Sequence, residues 1–395
     1  MSQWTERRPS EDFYRVLAPD GSIEGEPPDL SAEETVDLYR SIVRTRAFED
    51  KALSLQRRGE LSIAARSRGE EAVAIGSAAA LEPDDWCFPS YRQTGALTHW
   101  DAPMDRAVAG LMGNEPETID EHLPVEDPPA VNFTPTYVPL AVNVTNAVGS
   151  AMADRFNDRD TVTLSYIGDG STSQGDFHEA LNFAGVYDAP AVTVVQNNQW
   201  AISVPAHQQT AAETFAQKGE AHGVPHERVD GNDVFAVYEK TREATERARA
   251  GEGPGLIECV TYRMVEHNTA DEPSVYRNES EQEYWAERDP LDRLEIYLRQ
   301  EGHLDDERIE EIEEEAAEDV DGAVRRAREV PTSDPERMFD HHLHTQSWNE
   351  RHQRAELRAE LEGKNPFTDF DGSGLAETDN ARTGGTDGTD GGERR

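Results

Sequence analysis

Cysteine is nearly absent: Cys87 and Cys259 are the only two in 395 residues. No disulfide framework can be built from them, so the fold must rest on a hydrophobic core, which a chain of this length can bury. A reducing cytoplasm is the expected compartment. Long apolar runs are missing too. No stretch of eighteen or more apolar residues occurs, so no membrane-spanning helix and no membrane partner are expected. Glu6, Arg7, Arg8, Glu11 and Asp12 stand where a secretory signal would be apolar. Lysine is the third scarcity, with Lys51, Lys218, Lys240 and Lys364 the whole supply.

Acid fills the gap. The chain has 80 Asp and Glu against 38 Lys and Arg, a net charge of −42. The acids are spread along the chain and not gathered in one tail. Such a surface repels itself at low salt, whereas at about 1 M salt the screening length falls to about 3 Å. We expect adaptation to a salt-rich interior. Nucleic acid is not expected as a partner, because its phosphates would meet a negative surface.

The chain divides by composition. Residues 1–30 hold Pro9, Pro19, Pro27 and Pro28 and read as an extended N-terminal arm. Residues 31–360 read as one large domain. Residues 361–395 read as an acidic tail, whose Gly-, Thr- and Asp-rich end from Thr383 lacks the apolar content to order. Ser31 and Glu34 have the spacing of a helix capping box, and Val36, Tyr39, Ile42 and Val43 follow at helical spacing. Between about 130 and 265, β-rich runs (161–167, 191–196, 256–260) alternate with helical stretches. That pattern predicts an α/β fold, a doubly wound parallel sheet with helices on both faces. An acidic helix is predicted over 305–329, with Ile309, Ile312, Ala316, Val320 and Ala323 on one stripe. There is no internal repeat.

The chemistry concentrates in one βαβ unit. A buried strand from Thr161 to Ile167 runs into Gly168-Asp169-Gly170; a turn spans residues 171–174. A helix over 175–187 carries Phe177, Ala180, Leu181 and Ala184 on one face. The second strand, 191–196, ends in Asn197-Asn198. Parallel strands joined this way deliver both ends to the crevice where open α/β sheets bind ligands. Asp169 and Asn198 are therefore expected side by side, as hard oxygen ligands suited to Mg²⁺. Gly168 and Gly170 would let a phosphate approach the backbone, with helix N–H groups aimed at it. A lone Gly-Asp-Gly is a common turn; paired with Asn-Asn at the end of the next strand it is much rarer.

On that pairing the sequence resembles the thiamine-diphosphate enzymes. Across about residues 31–360 it resembles the α subunit of the decarboxylating component of 2-oxoacid dehydrogenases. The residues that carry this are Arg68–Ala72, Gly76–Leu81, Phe88–Arg92, Gly175–Ala180, Asn197–Ser203, Arg228–Val234, Thr261–Arg263, His267 and Tyr276-Arg277. The resemblance implies the thiamine-diphosphate-binding fold, with thiamine diphosphate and Mg²⁺ as cofactors. It implies Asp169, Asn198 and the Trp200 backbone carbonyl as metal ligands. Gly168 lies in the same turn, and Gly170 and Ser171 are implied N–H donors to the diphosphate. Arg92 is implied as a phosphate partner and His267 as the catalytic group in acyl transfer. Tyr91, Val138 and Leu140 are implied neighbours of the aminopyrimidine; plain core packing is the alternative for all three, and for Val138 and Leu140 the two can hold together. The implied partners are a β subunit, in a heterotetramer of two α and two β, a lipoyl acyltransferase and a small 2-oxoacid.

Some positions depart from the family pattern. Asn268 stands where animal enzymes carry a phosphorylated serine, and Glu266 adds negative charge near the expected diphosphate. Tyr91–Gly95 lacks the histidine that pyruvate enzymes often carry there. Glu283-Tyr284-Trp285 and Gly231–Tyr238 look more like branched-chain members. Oxidative decarboxylation of a branched-chain 2-oxoacid is the expected activity. Pyruvate or acetoin dehydrogenase is the alternative, and a non-catalytic α-like partner is the alternative from another class. His341, His342, His344 and His352 lack a metal-site spacing and are expected on a helix surface or in a subunit contact.

Overall fold

The computed structural model describes residues 9–340 and 343–363. The acidic tail beyond Gly363, and with it His341 and His342, lies outside the described residues. The chain forms two compact units, Met1–Pro331 and Thr332–Arg395.

The first unit is built on six parallel strands: β1 (Trp86–Phe88), β2 (Asn132–Phe133), β3 (Thr163–Gly168), β4 (Ala191–Asn197), β7 (His226–Asp230) and β8 (Gly255–Val260). A separate antiparallel pair, β5 (Trp200–Ala201) and β6 (Val204–Pro205), lies between β4 and β7 in sequence. Spatial order in the main sheet is β2-β1-β3-β4-β8-β7. The pleat sorts side chains to two faces. Leu164, Tyr166, Val192, Val194, Ile257 and Cys259 face one way, onto Val73 and Ala74 of helix Glu71–Ala79 and Val237 and Ala244 of helix Val234–Arg249. Ile167, Val195 and Leu256 face the other way, onto Val144 and Val148 of helix Val142–Phe156 and Phe177 and Leu181 of helix Gly175–Val186. Both faces are covered, so the strands read as continuous apolar runs. This is the doubly wound sheet that the alternation predicts.

Helix Ala32–Arg57 starts at the predicted capping box: Glu34 N–H donates to Ser31 Oγ at 3.2 Å, and Ser31 N–H donates to Glu34 Oε2 at 2.7 Å. The acidic helix is Asp306–Glu329, with Ile312, Ala316, Val320 and Ala323 buried. The described part of the N-terminal arm is packed down from Tyr14 on. Tyr14 bridges to Val229, and the N–H groups of Val16 and Leu17 both donate to buried Asp233 at 2.7 Å. In the second unit, helix Trp348–Leu361 begins at a capping box of Ser347 and Glu350. His352 stacks on Trp348 there, and among the described residues no group of three metal-ligating side chains exists. No helix among the described residues is long and apolar enough to cross a membrane.

Candidate functional site

Four neighbouring strands end at one place. The turn Tyr91-Arg92 follows β1, Asp169 follows β3, Asn198 follows β4, and the segment with Arg263 and His267 follows β8. The register pairs Gly168 with Gln196, so Asp169 and Asn198 leave adjacent strands together. A cavity of about 1250 Å³ opens over these ends. All eleven residues singled out in the sequence line it: Tyr91, Arg92, Val138, Leu140, Gly168, Asp169, Gly170, Ser171, Asn198, Trp200 and His267.

Asp169 is almost fully buried, and its Oδ2 accepts from Gln209 Nε2 at 2.9 Å. Burial pushes its carboxyl up to about 7, against the pull of the Gln209 and Gly170 donors; buried Glu70 adds to the push. A carboxyl in that position gains from a bound cation, which would hold it ionised. Asn198 Oδ1 accepts only a 3.2 Å bond from the Trp200 N–H, and the Trp200 carbonyl accepts a 3.2 Å bond from Arg263 Nη1. Each oxygen keeps a second lone pair. Three hard oxygens, one of them anionic, make a donor set that fits Mg²⁺. The two asparagines differ in role. Asn197 Nδ2 donates to buried Glu258 of β8 at 2.7 Å and ties two strands together, while Asn198 lines the cavity.

Gly170 and Ser171 lie in a 3-10 turn, Gly170–Ser173. A Cβ on Gly170 would sit 2.4 Å from Ala201 Cβ, so the glycine is required by its protein neighbour even before any phosphate is considered. Gly168 is under no such pressure, its nearest neighbour lying at 3.9 Å. Lys218 stands behind the turn, donating to Thr172 Oγ1 at 2.6 Å, with Phe215 and Phe177 around it. Nothing in its local sequence marks that position.

Arg92 is buried, and three of its five N–H groups are committed, to the carbonyls of Arg66 and His267 and to His267 Nδ1. One Nη1–H remains for an anion, and the Nε–H faces Glu70 Oε1 at 3.9 Å. His267 Nδ1 faces two guanidiniums, Arg92 at 3.2 Å and Arg263 at 3.4 Å. Guanidinium can only donate, so Nδ1 is the acceptor and Nε2 holds the proton. Burial first, then Arg92 and Arg263, together lower this histidine to about 4, with Asp271 opposing them. Its backbone N–H donates to Asp271 Oδ2 at 2.7 Å, and Tyr91 lies edge-on to its ring.

Glu266 turns its charge away from that centre. It pairs with Arg66 through both carboxylate oxygens, at 3.0 and 2.9 Å. Val138 and Leu140 are 68% and 45% exposed, which overturns the core-packing alternative for both. Two further functional residues escaped the sequence reading. Arg263 is fully buried and fastens the carbonyls of Trp200 and Ile202 and the Tyr276 hydroxyl. Glu70, also fully buried, receives the side-chain amides of Gln196 and Asn198. Both sit inside quoted motifs, but only the folded chain reveals their partners.

The sequence matches the family described as Dehydrogenase E1 component over residues 39–336. The 3-methyl-2-oxobutanoate dehydrogenase subunit alpha of Mycobacterium tuberculosis is 40% identical over 356 residues, 88% of this chain and 94% of its own. The pyruvate dehydrogenase E1 component subunit alpha of Acholeplasma laidlawii is 40% identical over 300 residues, 76% of this chain and 85% of its own. That of Staphylococcus aureus is 37% identical over 336 residues, 83% and 89% respectively.

Proposed function

The chain belongs to the dehydrogenase E1 component family, as the α subunit of a thiamine-diphosphate-dependent 2-oxoacid dehydrogenase, and we propose that its substrate is a branched-chain 2-oxoacid. Its partners are a β subunit and a lipoyl acyltransferase component. We infer two α and two β subunits and a cytoplasmic setting, the latter because both cysteines are free and buried.

When bound, thiamine diphosphate supplies the nucleophilic carbon and the electron sink that decarboxylation needs. The chain's own residues hold and orient. Asp169, Asn198 and the Trp200 carbonyl would hold Mg²⁺. Gly170 and Ser171 would meet the diphosphate through the backbone, and Arg92 through its remaining Nη1–H. Tyr91, Val138 and Leu140 would line the aminopyrimidine side. His267 holds a proton at Nε2 and is the group we assign to acyl transfer.

The observation that carries this reading is the convergence of Asp169 and Asn198, from adjacent strand ends, on one large cavity. The branched-chain choice is supported by apolar cavity wall from Phe48, Ala52, Leu97, Met104 and Leu111. Pyruvate is the second reading, favoured by the relative from Acholeplasma laidlawii at the same identity.

The test is co-expression with the β subunit and assay of 3-methyl-2-oxobutanoate against pyruvate. A methylene or two in the pocket should give about a 10–200-fold advantage in kcat/KM to the branched substrate. A preference for pyruvate overturns the substrate. A heterotetramer that binds no thiamine diphosphate by calorimetry overturns the roles given to these residues, leaving the non-catalytic partner.

A further inference from the structure

From the cavity lining a chain of side-chain hydrogen bonds runs inward with one fixed direction. It starts at a backbone donor: Ser90 N–H donates to Gln93 Oε1 at 2.8 Å. Gln93 is thereby oriented, and its Nε2 donates to Gln196 Oε1 at 2.8 Å. Gln196 Nε2 in turn donates to Glu70 Oε2. From the other side Trp200 N–H donates to Asn198 Oδ1 at 3.2 Å, and Asn198 Nδ2 donates to the same Glu70 Oε2 at 2.8 Å. Every link is buried except the first, which is part-buried at Ser90. Both arms run downhill into one carboxylate, which when ionised can only accept. The second oxygen, Oε1, has no hydrogen-bond partner and lies 3.9 Å from Arg92 Nε.

We propose that Glu70 is the positioning residue of the metal site: as the common acceptor it holds the Asn198 amide with nitrogen inward and Oδ1 presented as the ligand. This rests on Asn198 being a metal ligand, as proposed above. The physical point is that an asparagine has two nearly isosteric ends, only one of which binds Mg²⁺. The Trp200 N–H favours the correct end with one bond of 3.2 Å, and Glu70 Oε2, which already accepts from two amides, penalises the reverse end with oxygen set against oxygen. Neutral glutamine at position 70 would remove the second constraint, because its amide can donate to a reversed Asn198. Partners that orient metal ligands are typically worth about 10–100-fold in metal affinity.

The experiment uses the α–β heterotetramer with thiamine diphosphate, and Mn²⁺ as the probe, followed by electron paramagnetic resonance. Glu70→Gln, nearly identical in shape, should weaken Mn²⁺ binding about 10–100-fold with the melting temperature little changed. Saturating metal should restore most of the turnover. Adding Asn198→Asp to Glu70→Gln should recover most of the lost affinity, since both ends of a carboxylate are ligating oxygens. The same Asn198→Asp change with Glu70 intact should not improve affinity, because two carboxylates would then face each other. Unchanged Mn²⁺ affinity in Glu70→Gln, or a loss that Asn198→Asp does not relieve, overturns the proposal. Asn198→Ala is the separate control. If it leaves Mn²⁺ affinity intact, the metal-site assignment itself falls; if it abolishes binding while Glu70→Gln does nothing, only the role of Glu70 falls.

Discussion

His267 is neutral because burial and two guanidiniums push the same way, with Asp271 alone opposing them. The sign of its pH effect follows. A histidine held at about 4 when folded takes a proton more readily once the chain unfolds. Its contribution is complete above the ordinary value, about 6.5, and is lost as pH falls toward the folded value. His267→Gln should therefore flatten the decline in melting temperature across that acidic window. The same variant should slow acyl transfer to lipoyl groups by about 100-fold or more, the usual worth of a positioned proton-transfer group. Cofactor affinity should stay within a few-fold, since a glutamine oxygen can accept from Arg92 as Nδ1 does and the metal ligands are unchanged. Thermal melts across about pH 4 to 7 read the first effect and mass spectrometry of an acylated lipoyl domain the second, and a transfer rate equal to wild type would remove His267 from the mechanism. At this scale the sequence was legible where a residue type dictates a role: an acid and an amide at strand ends, an arginine in a turn. Glu70 and Arg263 were not legible, because their importance lies in hydrogen bonds to residues more than sixty positions away.

At the scale of elements the turn after β3 is held by contact with the β5–β6 pair. A methyl group on Gly170 meets Ala201 Cβ at 2.4 Å, well inside van der Waals contact. Gly170→Ala should cost about 1–3 kcal/mol, the usual range for overpacking, and should weaken cofactor binding by displacing the turn. Ala201→Gly removes the opposing methyl, so the double variant should regain stability and binding. Melts and calorimetry on the four proteins of this cycle decide it; a single variant as stable as wild type would show that the turn is free to move. The β-rich runs, the crossover helix and the capping box could be read from local pattern because strand burial, helical periodicity and cap chemistry are local properties. Short β1 and β2, of three and two residues, gave no periodic signal to read. The pairing of β5 with β6 was equally hidden: it depends on Gln199 and Ile202 adopting positive φ, which neither residue type favours.

Over the whole molecule the charge is less uniform than its total suggests. No Asp, Glu, Lys or Arg occurs between Asp127 and Asp154, or between Asp188 and Glu213. These two stretches supply Val138, Leu140, Ile202 and Val204, all exposed and apolar, and the first three line the cavity. These two segments bring no acid to the part of the cavity wall that they form, and acid accumulates elsewhere along the chain. Helix Asp306–Glu329 shows the consequence. Glu310 and Glu314, Glu311 and Glu315, and Glu314 and Glu318 are exposed like charges four residues apart. Each pair opposes the helix by about 0.2–0.5 kcal/mol when unscreened. With a net charge of −42 there are too few cations to neutralise such repulsion by ion pairing. Mobile salt must do it, and its reach changes from about 3 Å at 1 M to about 30 Å at 0.01 M. Dilution from molar potassium chloride to that low range should therefore unfold the chain cooperatively, with helical signal in far-ultraviolet circular dichroism falling as salt is removed. Replacing Glu310, Glu314 and Glu318 together by glutamine should move the midpoint to lower salt, because the repulsion has been removed at its source. A chain whose spectrum is indifferent to dilution, or a triple variant with an unchanged midpoint, would mean that the acid has no bearing on folding.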